Sequence, residues 1–182
     1  MNLSFVFSNQ AALDPTVDIA QLKELGSFWG GWKTWRNCQT DNVICHDMNK
    51  AQELIQRKFH NTCNFYVPNS VYVSLDRPDG VKLYEGTFVH EVDNQEDIVA
   101  MHLAVSSSDI ILLLGFDFSK PVVLEDKLLE HRANNYRNLT RQVIVNHPNI
   151  QWVALDQIGD FRKDLQSLDN LGQDTLTNIL QT

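Results

Sequence analysis

Gly115 and Asp117 follow an unbroken apolar run, Ile110 to Leu114, and their types and spacing are suited to binding chemistry. A glycine at that point permits a tight turn, and a carboxylate just past a buried strand can accept two hydrogen bonds from sugar hydroxyls; the other use of such an Asp is to cap its own turn. Asn9 ends the β-prone run Leu3 to Ser8, where an Asn either meets a base or phosphate or simply forms the turn. Asp47 follows the run Asn42 to His46 and can face a ligand or cap the next helix. Cys45, His46 and Asp47 together suggest a metal or nucleophile site, but successive strand residues point to opposite faces, so the three do not converge and no metal site is expected.

Further along, Arg132 and Arg137 offer planar guanidinium groups able to grip a phosphate or sugar carboxylate bidentately, with a solvated charged face as the alternative. His131 beside them has an unperturbed pKa of about 6.5 and can take a hydroxyl proton at neutral pH, or it is an ordinary surface histidine. His102 shares a helix face with Met101 and Val105 and reads as a hydrogen-bonded core residue. The segment Phe28 to Arg36 (FWGGWKTWR) combines three Trp with two cations; its rings either stack on a ligand or pack in the core over Gly30-Gly31.

These residues need elements to hold them. Buried runs at 3–8, 42–46, 65–67, 110–114 and 150–155 read as strands. Lys50 to Phe59, Glu96 to Val105 and Glu125 to Gln142 carry helical spacing, the second beginning with acids suited to a helix N-terminus. Strand-helix alternation of this kind predicts a three-layer, Rossmann-like α/β sheet, mostly parallel, with four to five parallel strands. Alternation of Val71, Val73 and Leu75 before Pro78-Asp79-Gly80 predicts a small β-hairpin insertion. Residues 156–182 predict a helical tail packed on a single domain spanning 1–182.

Fifteen Lys and Arg against twenty-three Asp and Glu give a net charge of −8, which disfavours nucleic acid and anionic lipid as partners. No apolar run approaches a membrane span and the first residues lack a signal-peptide pattern, so a cytoplasmic protein is expected. Three cysteines without CxxC spacing predict reduced thiols. Homo-oligomerisation stays open.

Taken together, an early strand ending in Asn9, a second ending near Asp47, the unit EDIVAMHLAVSSSDIILLLGFDFS and the later HRANNYRNLTRQVIVNHPNIQWVAL resemble the bacterial sialyltransferases that use CMP-sialic acid. They are also similar to a wider group of Rossmann-like domains, some fused to or encoded near glycan-modifying enzymes, over roughly residues 2–155. The resemblance implies a nucleotide or nucleotide-sugar ligand and glycosyl transfer without a metal or other cofactor. His131 matches the position of the family's base and Asn9 that of its nucleotide-binding loop, while Asp47 stands where the second strand normally supplies an Asn. The chain departs from the family at Ser8-Asn9-Gln10-Ala11-Ala12, which lacks the glycines of Gly-Asn-Gly-Pro-Ser, and at Asp93-Asn94-Gln95, in place of Thr-Ser-Gly. Three other readings remain: a non-catalytic binding or regulatory module of the same fold, a nucleoside deoxyribosyltransferase- or hydrolase-like enzyme with a strand-end Asp or Glu as nucleophile, and a small structural or partner-binding protein whose Trp-rich segment and acidic tail form an interface.

Overall fold

Phe5, Val6 and Phe7 are all fully buried, so β1 (Leu3–Phe7) has core on both faces. Because strand side chains alternate, that pattern requires covering layers on either side. The computed structural model describes residues 1–9, 11, 13, 17–84, 95–116, 118, 123–156 and 165–180. After β1 come α1 (Ile19–Leu25), β2 (Ser27–Gly31), α2 (Trp32–Cys38), β3 (Asn42–Ile44), α3 (Met48–Gln56), β4 (Asn64–Pro68), α4 (Asn69–Ser74) and β5 (Val81–Tyr84). The second half follows as α5 (Glu96–Ala104), β6 (Ile110–Leu114), α6 (Lys127–Asn146), β7 (Gln151–Leu155), β8 (Leu171–Asp174) and α7 (Leu176–Leu180).

The eight described strands form one sheet in the order β5-β4-β3-β2-β1-β6-β7-β8, and every pairing is parallel. The fold is therefore the expected three-layer, Rossmann-like α/β architecture. One face buries Val6, Trp29, Ile44, Ile111, Leu113 and Trp152 under α5 and α6. The other buries Phe5, Phe7, Phe28, Leu112 and Leu114 under α1 and α7, and Val43, Phe65 and Val67 under α3 and α4. From β1 the chain steps outward to β5, then returns to place β6 on the opposite side of β1. The reversal lies between β1 and β6, where ligands of open α/β sheets bind beyond the strands' carboxyl ends.

Several local expectations are corrected. Among the described residues the sheet has eight strands rather than four or five parallel ones, because β2 falls in the Trp-rich segment, β5 lies where the second arm of a hairpin was expected, and β8 is short. The hairpin is absent: Asn69–Ser74 is helix α4, and β5 runs parallel to β4. A parallel partner demands a crossover, and that demand outweighs the strand propensity of Val71 and Val73. Asp76, Arg77 and Gly80 make the return with positive φ of 58°, 54° and 77°. The tail, expected to be helical, supplies strand β8, with Leu171 beside Trp152, before the short α7. Among the described residues no helix is long and apolar enough to cross a membrane.

Candidate functional site

Hydrogen bonding locks the two strand ends at the reversal. The Ser8 N–H donates to the Leu114 carbonyl (2.9 Å), the Ser8 hydroxyl to the Gly115 carbonyl (2.7 Å), and the Ala11 N–H back to the Ser8 carbonyl (3.0 Å). Gly115 has φ of +74°, and a Cβ added there would lie 2.7 Å from both Ala11 Cα and Ser8 Oγ. The residue must be glycine both for its left-handed backbone and because the first loop rests directly on it. Asn9 is left exposed on this crest.

Behind Asn9 lies an acid pair. Glu96 and Asp97 open α5 yet are only 4% and 2% exposed. Asp97 Oδ2 accepts hydrogen bonds from the Asn9 N–H (3.1 Å) and the Tyr136 hydroxyl (2.7 Å). Glu96 Oε1 accepts from the His46 N–H (3.1 Å), and its carboxylate also takes the Trp32 N–H. The backbone donors just beyond β1, β2 and β3 are thus held by the chain's own carboxylates. Gly31 makes room for this: a Cβ there would lie 2.5 Å from Glu96 Oε2 and 2.8 Å from Asn9 Oδ1.

Burial dominates the electrostatics. It raises Glu96 to about 7, with Asp97 beside it adding to the rise and the His46 amide and the Lys33 charge opposing it. Asp97 is also raised by burial, against the bonds from Tyr136 and Asn9. Burial lowers His46 to about 4, so its imidazole is neutral near pH 7. A carboxyl poised near neutrality can exchange a proton at working pH, which makes Glu96 the titratable group of this edge best tuned for acid-base chemistry.

The predicted residues separate into groups. Gly115 meets Ser8 and Ala11 of the first loop across β1 and β6, whereas the Asn9 side chain on that loop lies beside Gly31. Asp47 is exposed and caps α3, accepting the Lys50 N–H at 2.7 Å. His131 and Arg132 are both exposed near the start of α6, whose first turn is capped by Asp126. His131 stands five residues before Tyr136, about 7–8 Å along the helix from the side chain that reaches Asp97. Asp117 lies outside the described residues, between Phe116 and Phe118, which are buried and stack 6.3 Å apart. His102, expected as a buried core residue, is only half-buried, with Nδ1 3.3 Å from His147 Nε2. Of the clustered tryptophans, Trp29 is buried beside Tyr66 and Trp35 packs edge-on against Phe59. Trp32 is instead ringed by Lys50, Arg36 and Lys33, at 4.7, 5.8 and 5.9 Å from its centroid.

Sequence reasoning assigned Glu96 and Asp97 to the dipole of their own helix, whereas they bond the amides of neighbouring strand ends. One signal was available: α5 is otherwise almost entirely apolar and buried, so two acids on its first turn had to be buried with it. Comparison with protein-family models, with curated proteins and with solved structures finds no match to this chain.

Proposed function

We propose that this chain binds a nucleotide or nucleotide-sugar at the carboxyl edge of the sheet, over the reversal between β1 and β6. The observation that carries the reading is the exposed Asn9 on the loop whose Ser8 and Ala11 rest on Gly115 at that reversal, the place where parallel α/β sheets hold ligands. Recognition runs through the nucleoside part. In dinucleotide-binding sheets a ligand phosphate takes the backbone amides after the first strand, but here the Asn9 amide already serves Asp97, and a phosphate would face two buried acids. Phosphate contacts fall instead to the cations around Trp32, of which Lys33 acts on Glu96.

In the glycosyl-transfer form of this reading, His131 takes the acceptor proton from its exposed position on α6 and Arg132 grips an anionic group, while Asp117 bonds the sugar. A second reading is favoured by the Glu96 carboxyl with its pKa near 7: transfer or hydrolysis at an N-glycosidic bond, with Glu96 as acid or base.

A thermal-shift panel of nucleosides, nucleotides and nucleotide-sugars on wild type, Asn9→Ala and Asp117→Ala tests the binding claim. Cytidine and its nucleotides are expected to raise the unfolding midpoint by similar amounts in wild type, with the rise lost in Asn9→Ala. Saturating nucleosides and nucleotides with no shift refute it. Turnover abolished in His131→Ala with nucleotide affinity kept supports transfer; turnover of nucleosides abolished in Glu96→Gln supports the second reading. Binding without turnover identifies a non-catalytic module.

A further inference from the structure

His46 carries two buried ring nitrogens, and neither has a hydrogen-bond partner among the described residues. Gln95 Oε1, at the start of α5, is likewise buried and unpartnered. Leaving such groups unsatisfied costs about 1–3 kcal/mol each, so a fold that keeps both beside one space is holding them for something else to bond. The space exists. A cavity runs between the end of β3, α5 and α6, walled by Ile98, Val99, Leu139 and Val143, with His46 and Gln95 in its lining. Its volume is about 70 Å³, several times the roughly 10–15 Å³ that one water needs.

We propose that this cavity is the seat of a neutral, planar heterocycle with adjacent hydrogen-bond donor and acceptor groups, the chemistry of a nucleobase edge. Four aliphatic walls suit the apolar faces of an aromatic ring, while the unpaired atoms of His46 and Gln95 need polar partners, which the edge of a heterocycle brings. A neutral imidazole has one donor and one acceptor nitrogen, and the Gln95 oxygen accepts, so the matching edge must both donate and accept. Neutrality follows from the lining, which among the described residues contains no Asp, Glu, Lys or Arg; its other polar groups are the Gln142 and Asn146 amides and the histidines His102 and His147, which bond each other. The place fits a base whose sugar lies on the crest: the His46 amide bonds Glu96, Glu96 abuts Gly31 and Asn9, and two strand spacings, about 10 Å, separate β3 from β1. Calling the heterocycle a nucleobase rests on the nucleotide reading above; the cavity's demand for a neutral polar edge does not.

Calorimetric titration of the full chain with free cytosine, uracil and adenine, their nucleosides, and benzene as an apolar control tests the assignment. His46→Phe removes both nitrogens at similar shape. It is expected to raise the unliganded thermal midpoint and weaken free-base binding about ten-fold or more. Gln95→Leu should weaken it in the same direction and carries the comparison if His46→Phe does not fold. No free base binding to wild type, equal affinity in wild type and both variants, or benzene binding as tightly as a base would each overturn the proposal and leave the cavity to water. The two readings fail separately. Nucleosides that need Asn9 but ignore His46→Phe sink the cavity and keep the crest; free bases that need His46 while nucleosides do not bind keep the cavity and sink the crest.

Discussion

Replacing Glu96 by Gln should change how stability depends on pH, in a direction that burial alone dictates. The carboxyl is raised from an ordinary 4.5 to about 7 in the folded chain. Between those values the folded state holds a proton that the unfolded state has released. Stability contributed by this group therefore falls as pH rises through that window and stays low above it, the reverse of a salt-bridged carboxylate. At 1.36 kcal/mol per pH unit the full difference is about 3 kcal/mol, of which about 2.5 kcal/mol develops between roughly pH 5 and 8.5. Glutamine keeps an acceptor for the His46 amide but cannot ionise, so the variant gains on wild type by that amount as pH rises, whatever its baseline. Urea denaturation of both proteins at about five pH values across that range measures the difference. His46, held near 4 by burial, contributes stability that is lost on acidification from 6.5 toward 4, so it opposes Glu96 in wild type but cancels in the comparison. A wild-type minus variant difference that stays flat within about 0.5 kcal/mol would show that Glu96 titrates normally, and the buried acid pair would lose its tuning role.

Gly115→Ala should destabilise the fold by about 2–3 kcal/mol and raise exchange of the Ser8 and Ala11 amides, because its Cβ meets the first loop and its φ is left-handed; a loss below about 0.5 kcal/mol would mean the loop is not seated there. Tyr136→Phe deprives buried Asp97 of its hydroxyl donor, which should cost about 1–3 kcal/mol by chemical denaturation near neutral pH and push the Asp97 carboxyl higher still; an unchanged denaturation midpoint would refute the bond's role. Cys38 and Cys63 are raised to about 11 by burial and Cys45 is raised further, so an aromatic disulfide reagent near pH 7 should find no fast-reacting thiol. A burst of one thiol per chain would contradict that.

The fold class was legible in local patterns. The uninterrupted IILLL run, the strand-helix alternation and the apolar α5 each require burial on two sides, and only a covered parallel sheet provides it. Gly115 and Asn9 were legible too, since chain order alone places them at strand ends. Strand neighbours were not: nothing local says that β6 docks beside β1 rather than beyond β5, because strand pairing is settled by which faces fill the core together. The same limit hid β2, whose Trp29 and glycines resemble a ligand-stacking loop until Tyr66 and Glu96 are packed against them.

By itself, the amino-acid sequence determined that this chain builds a doubly covered α/β sheet with polar strand ends, because periodicity and residue volume act over a few neighbouring residues. Only the tertiary structure decided that Glu96 and Asp97 occupy the strand-end amides and that His46 and Gln95 border a cavity. Desolvation and hydrogen-bond partnership depend on groups 50 to 88 residues apart in the chain, and such distances are closed only when the sheet assembles.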